Sequence, residues 1–115
     1  MDIKIELEQE NLKVFRKDEF TKQVIADLSN NYHVLLACDL SSRADSAERQ
    51  EYAQALIHGG IITDEGKERV LAEESIIIVV PFFSLEIAEQ TYRRIPHASH
   101  FVTVYLDGEP YTANC

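Results

Sequence analysis

Two uninterrupted apolar runs dominate the hydrophobic pattern of this chain. One is VLLAC at residues 34–38 and the other is IIIVV at residues 76–80, which Pro81 is expected to close. Strands that are apolar at every position are typical of the centre of a sheet that helices cover on both faces. We therefore predict two central strands that are joined through helices and paired in parallel with right-handed crossovers.

Alternating segments predict strands towards the borders of the sheet. IKIEL at residues 3–7 and LKVF at residues 12–15 alternate apolar with polar positions, which is the period of half-buried strands. They fit either a hairpin or one interrupted edge strand. FVTVYL at residues 101–106 predicts the last long strand, and Asp107-Gly108 is a favoured two-residue turn that leads into EPYTA as a terminal hairpin.

Helical periodicity fills the segments between these strands. A helix over residues 17–30 presents one apolar face, made of Phe20, Val24, Ile25 and Leu28. A second helix, over residues 46–58, has Asp45 as its expected N-cap and Glu48 as its capping-box partner. Gly59-Gly60 ends this helix, because glycine favours the backbone conformation that follows a helix C-terminus.

Two further helices follow polar N-caps, and they complete the order of elements. One begins after Thr63 and extends to about Glu73, and the other begins after Ser84 and extends to about Arg94. No linker or repeat interrupts the 115 residues. The pattern predicts a single α/β domain over residues 1–115, built as a three-layer sandwich with a mixed sheet of four to five strands.

The end of the chain resembles the thioredoxin family. RIPHASHFVTVYLDGEPYTA, at residues 94–113, is similar to the thioredoxin stretch in which Ile-Pro precedes an apolar strand, an Xaa-Gly turn and a charged residue. The resemblance implies a thioredoxin-like fold, and a flavodoxin-like sheet is the alternative architecture. Leu40-Ser41-Ser42-Arg43 stands where the family has its Cys-x-x-Cys, so the resemblance does not extend to thiol–disulfide exchange.

Acidic residues outnumber basic residues along the whole chain. Twenty Asp plus Glu against 11 Lys plus Arg give a net charge of -9, which repels a phosphate backbone and an anionic bilayer. We therefore expect neither a nucleic acid nor a membrane as partner. The acidity serves solubility, or it steers the chain towards a basic partner, or it imitates nucleic acid.

The cysteines and histidines lack the spacing of a disulfide framework or a metal site. Cys38 lies inside an apolar run and Cys115 is the last residue, while His97 and His100 stand in PHASH. MDIKIELEQE lacks the apolar core of a signal peptide, and no apolar run reaches the ~18 residues of a membrane span. We predict a cytoplasmic protein without a metal or a cofactor.

The polar segment after the first central strand is the candidate ligand site. Open α/β sheets bind ligands at strand ends beside helix N-termini. Ser41 and Ser42 offer hydroxyl groups, Arg43 offers bidentate binding of a phosphate or carboxylate, and Asp39 offers a metal ligand or a base. The alternative is that these side chains only build the turn.

Aromatic residues near the end of the second central strand and in the hairpin suggest a partner surface. Aromatic side chains are enriched at the centres of protein interfaces, and four are assigned here: Phe82, Phe83, Tyr105 and Tyr111. We predict a non-catalytic, acidic protein-binding or assembly module that engages a protein partner or forms a homo-oligomer, with no catalytic residue assigned. The alternative is a small enzyme or an anion- or phosphate-binding protein with its site at the end of the strand Val34–Cys38.

Overall fold

The computed structural model describes residues 12–41, 46–73 and 75–111. The predicted strand at residues 3–7 lies outside this part of the chain, as do Asp45 and Cys115. The strands are β1 (Lys13–Arg16), β2 (Val34–Asp39), β3 (Ile76–Phe82), β4 (Val102–Leu106) and β5 (Glu109–Tyr111). The helices are α1 (Lys22–Ser29), α2 (Ser46–His58), α3 (Asp64–Ala72) and α4 (Leu85–Arg94).

The five strands form one sheet in the order β1-β3-β2-β4-β5, and every neighbouring pair is antiparallel. The predicted number of strands is confirmed, whereas the predicted parallel pairing of the two apolar strands, and with it the mixed sheet, is wrong. The reason is that two helices connect these strands. Because α2 and α3 pack together as a helical hairpin, they return the chain to the end of the sheet that it left, and β3 then runs back along β2.

Single helices in this fold do connect parallel strands, but the strands are not neighbours. β1 and β2 both run antiparallel to β3, which lies between them, and α1 connects them. β3 and β4 both run antiparallel to β2, and α4 connects them. Each single helix therefore carries the chain back across the sheet and past one intervening strand.

Helices cover both faces of the sheet, as the apolar run at residues 34–38 predicts. Val34, Leu36 and Cys38 point to the face on which α2, α3 and α4 pack. Leu35 and Ala37 point to the opposite face, where α1 packs. Every residue of this run is at most 4% exposed, so β2 is the centre of the hydrophobic core.

Polar N-caps fix where the helices begin. Thr21, Thr63 and Ser84 each accept a backbone N–H bond at the start of a helix. The predicted bounds of α2, α3 and α4 are confirmed to within one residue. The first helix begins at Lys22 and not at residue 17, because Lys17–Glu19 forms a separate 3₁₀ turn. None of the helices within the described ranges is long and apolar enough to cross a membrane.

Pro81 lies inside β3, and the prediction that it closes this strand is wrong. Leu40 donates its N–H to the carbonyl of Ile76 at 2.9 Å. Because the backbone groups of successive residues in a strand point to opposite sides, the even-numbered residues of β3 bond to β2, and the backbone nitrogen of Pro81 faces β1. Among the described residues, the pairing of β1 with β3 reaches only as far as Val79. Pro81 therefore takes no hydrogen bond from the described ladder.

The terminal hairpin has the predicted turn. Asp107 and Gly108 have φ angles of 51° and 87°, as a type I′ turn requires at both central residues. Asp107 also donates its backbone N–H to the carbonyl of His33 at 3.1 Å, and its carboxylate lies 2.8 Å from Nδ1 of His33. These contacts tie the turn to the segment that precedes β2.

Candidate functional site

A groove of about 730 Å³ lies at the end of the sheet where β2 finishes and β4 begins. The carboxyl ends of β1 and β2 meet the amino ends of β3 and β4 at this edge. Asp39 and Ser41, two of the four predicted ligand residues, line the groove. The other two, Ser42 and Arg43, lie outside the described residues. The structure therefore places a cavity at the predicted strand end.

The Asp39 carboxylate is engaged in contacts that build the turn. Its Oδ1 accepts the backbone N–H of Ser41 at 2.8 Å and also the Ser41 hydroxyl. Its Oδ2 lies 3.6 Å from Nζ of Lys17, which follows β1. This arrangement is an Asx turn, in which the side chain replaces a backbone acceptor. It supports the structural alternative for Asp39 and Ser41.

A tyrosine and a glutamate from α2 form the second wall of the groove. The Tyr52 hydroxyl donates to the Glu48 carboxylate at 2.6 Å, and the Tyr52 ring stacks on Phe101 with ring centres 4.3 Å apart at 11°. The hydrogen bond to Glu48, followed by burial, raises the pKa of Tyr52 to about 12. Tyr52 is therefore a hydrogen-bond donor at neutral pH. The sequence signal for this pair is the i,i+4 spacing of Glu48 and Tyr52 on a helix.

The remaining polar groups of the groove are exposed. His100, which precedes β4, and Thr103, within β4, line it. The rings of His97 and His100 are 5.7 Å apart. Within residues 12–41, 46–73 and 75–111 there is no group of three or more His, Cys, Asp or Glu side chains that could hold a metal ion.

The Cys38 thiol lies in the core. Burial raises the pKa of Cys38 to about 12, which keeps the thiol protonated at neutral pH. Cys38 therefore acts as a small apolar side chain between β3 and β4. Neither nucleophilic nor redox chemistry of a thiolate is available at this position.

The four predicted partner-binding aromatics do not form one surface. Phe82 is buried, and Tyr111 packs on the same face of the sheet. Tyr105 packs on the opposite face, with α1. Phe83 is 73% exposed, and its ring centre lies 5.3 Å from that of Tyr32. Of the four, Phe83 is the residue that the structure leaves open to a partner.

We name the exposed Phe83 and the adjoining Tyr32 the Phe83 patch. Ile87 lies in the first turn of α4 and is 54% exposed. Phe82 pairs with Val34 at the start of β2, so the patch lies at the end of the sheet opposite to the groove. Sequence reasoning missed Tyr32 and Ile87. The signal for Ile87 is that it lies outside the buried stripe of α4.

No family model matches the sequence, and searches of curated proteins and of solved structures found no match.

Proposed function

We propose that this chain is a non-catalytic binding module that engages a basic protein partner through the Phe83 patch. The observation that carries the proposal is the 73% exposure of the Phe83 ring. Large aromatic side chains at the centre of an interface supply much of the binding energy when a partner removes them from water. Tyr32 supports the ring from one side, which limits the side-chain entropy that binding removes.

Charge favours a basic partner over a second copy of the chain. Each copy carries a net charge of -9, so two copies repel one another. Exposed acids are close to the patch along the chain or through one contact. Glu86 is three residues after Phe83, and Asp107, whose side chain is 68% exposed, contacts His33, which follows Tyr32. An apolar centre with a charged rim is the usual anatomy of a transient interface. A partner segment with apolar and Lys or Arg side chains would fit it.

The protonation of two reactive side chains supports binding over catalysis. The raised pKa values of Cys38 and Tyr52 keep the thiol and the phenol protonated at neutral pH. Asp39 is engaged by Ser41. These groups are therefore not poised as nucleophiles or bases.

The thioredoxin-like relation and the cytoplasmic location remain part of the proposal. The relation is supported by the hairpin of β4 and β5, which follows α4 in the last part of the described chain. The location is supported by cysteine usage, since Cys38 is buried and unpaired.

Site-directed photo-crosslinking tests the proposal in an extract of the native cells. A photo-reactive p-benzoylphenylalanine replaces Phe83 in one variant and Gln90, an exposed residue of the same helix, in a control variant. We expect position 83, and not position 90, to cross-link a protein with an excess of Lys and Arg, in a yield that falls as salt is added.

Two outcomes of this experiment would contradict the proposal. Equal yields from positions 83 and 90 would show that the patch is not a contact surface. An adduct made of two copies of the chain would show self-assembly in place of a basic partner. Because Phe83 is largely exposed, its substitution leaves the core intact, and a loss of cross-linking cannot be ascribed to unfolding.

A further inference from the structure

The turn between α4 and β4 brings two histidine side chains together. The ring centres of His97 and His100 are 5.7 Å apart, and the ring planes are inclined by 38°. Both residues are exposed, and neither ring forms a hydrogen bond with another described residue. A neutral imidazole has one nitrogen that can bind a metal ion or accept a hydrogen bond. The pair therefore offers two neighbouring ligand groups.

The backbone of the turn is fixed before any ligand binds. His97 has φ 57° and ψ 28°, in the left-handed region where histidine is enriched among residues other than glycine. The N–H of His100 donates to the carbonyl of His97 at 3.0 Å and closes the turn between the two histidines. Ala98 and Phe101 are buried and anchor the turn to the core. Binding of an ion would therefore order only the two exposed side chains.

The separation of the rings suits two ligands of one metal ion. A zinc ion binds an imidazole nitrogen at about 2.0–2.1 Å, which places the metal roughly 3.2 Å from the ring centre. Two rings on one tetrahedral ion are then roughly 5.2 Å apart, and two rings on opposite sides of an ion are roughly 6.4 Å apart. The separation of 5.7 Å lies between these two values. Small rotations of the exposed side chains would bring both rings onto one ion.

Imidazole ligands select the class of metal. Divalent zinc, copper and nickel bind imidazole well, whereas magnesium and calcium prefer oxygen ligands. Two protein ligands leave the other positions of the ion to water. Such a site needs no third side chain, and it agrees with the lack of a larger ligand group within residues 12–41, 46–73 and 75–111.

The charge of the chain favours a cation at this turn. His100 lines the groove, in which the described charged side chains are Asp39 and Glu48, both negative, and Lys17, which is positive. The chain as a whole carries a net charge of -9, which outweighs the positive charge of Arg94 at the end of α4. Negative charge of this kind raises the local concentration of cations.

We propose that His97 and His100 chelate one divalent transition-metal ion, with water in its remaining positions. The turn precedes β4, at the end of the sheet opposite to the Phe83 patch. The site therefore requires nothing of the proposed protein partner.

Titration of the full chain with Zn²⁺ tests the site. Cys115→Ser in every variant removes the terminal thiol, which would itself bind zinc. Isothermal titration calorimetry should show one Zn²⁺ per chain and no binding of Mg²⁺ at the same concentrations. In nuclear magnetic resonance spectra, Zn²⁺ should shift the ring resonances of His97 and His100 and leave those of His33 and His58 in place.

Single substitutions decide whether both rings hold the ion. His97→Gln and His100→Gln should each weaken Zn²⁺ at least about tenfold, because the remaining imidazole loses the effective concentration that a second ligand provides. His58→Gln, at an exposed histidine in the last turn of α2, should bind within about twofold of the parent. All three positions are exposed, so these substitutions leave the core intact. An unchanged affinity of either turn variant, an equal loss in His58→Gln, or equally tight binding of Mg²⁺ would each overturn the proposal.

Discussion

Gly59 packs directly against Ile95, and its replacement by alanine gives a sharp test of how the helices pack over the sheet. A Cβ at position 59 would lie 2.6 Å from Cγ1 of Ile95 and 3.5 Å from its Cα. Favourable contacts between carbon atoms begin at about 3.5 Å. Ile95 is 3% exposed and follows α4, so it cannot move into solvent to relieve the contact.

Two opposing terms give the expected magnitude for Gly59→Ala. Replacing glycine with alanine reduces the conformational entropy of the unfolded chain, which stabilises a protein by about 0.4–1 kcal/mol where the native backbone accepts alanine. Overpacking of a filled core costs about 1–3 kcal/mol. The clash is larger, so we expect the free energy of unfolding to fall by about 1–2 kcal/mol, and the melting temperature by about 4 °C for each kcal/mol.

Urea denaturation followed by circular dichroism measures this change. The urea concentration at the unfolding midpoint should fall, whereas the slope of the free energy of unfolding against urea concentration should stay the same. Ile95→Ala alone should cost about 2–5 kcal/mol, because it opens a cavity. In that background Gly59→Ala should cost nothing, since its Cβ enters the space that the Ile95 side chain leaves. The coupling between the two positions should therefore be about 1–2 kcal/mol. Parent-like or higher stability of Gly59→Ala on its own would refute the described packing.

Two further predictions concern the protonated side chains. The hydrogen bond to Glu48, followed by burial, raises the pKa of Tyr52 from 10.0 to about 12, so the folded state holds the phenol proton more tightly than the unfolded state does. This contribution to the free energy of unfolding is complete below pH 10 and is lost as the pH rises towards 12. The free energy of unfolding, measured with urea at alkaline pH, should therefore fall more steeply with pH for the parent than for Tyr52→Phe. Equal slopes would refute the hydrogen bond between Tyr52 and Glu48. In a Cys115→Ser background, the buried Cys38 should react with a disulfide reagent only after urea unfolding, and prompt labelling of the native chain would contradict its burial.

Local signals in the sequence predict the elements well, but not the way in which they pair. The apolar run at residues 34–38 marks a strand buried on both faces, and Thr63 and Ser84 mark the helix starts. Whether β3 runs parallel or antiparallel to β2 depends on the number of helices that connect the two strands. Because α2 and α3 form a hairpin, β3 pairs antiparallel with β2, although both strands read as buried runs.

The groove and the Phe83 patch each combine residues that are far apart in the sequence. The sequence alone therefore could not predict either of them in full. Asp39 and Ser41 adjoin one strand end and could be predicted from it. Lys17 reaches Asp39 because β1 and β2 end at the same edge of the sheet. Tyr32 meets Phe83 because the start of β2 pairs with the end of β3. Both contacts follow from the antiparallel register.

The central claim is tested most directly by the affinity of Phe83→Ala for the partner that photo-crosslinking identifies, once that partner has been purified on its own. An aromatic side chain buries about 150–250 Å², so covering the 73% of Phe83 that is exposed is worth at most roughly 5 kcal/mol. Isothermal titration calorimetry should show binding about 30-fold weaker or more for Phe83→Ala, as expected of a residue at the centre of an interface. Gln90→Ala should bind within about twofold of the parent. If Phe83→Ala binds as tightly as the parent, the Phe83 patch is not the binding surface.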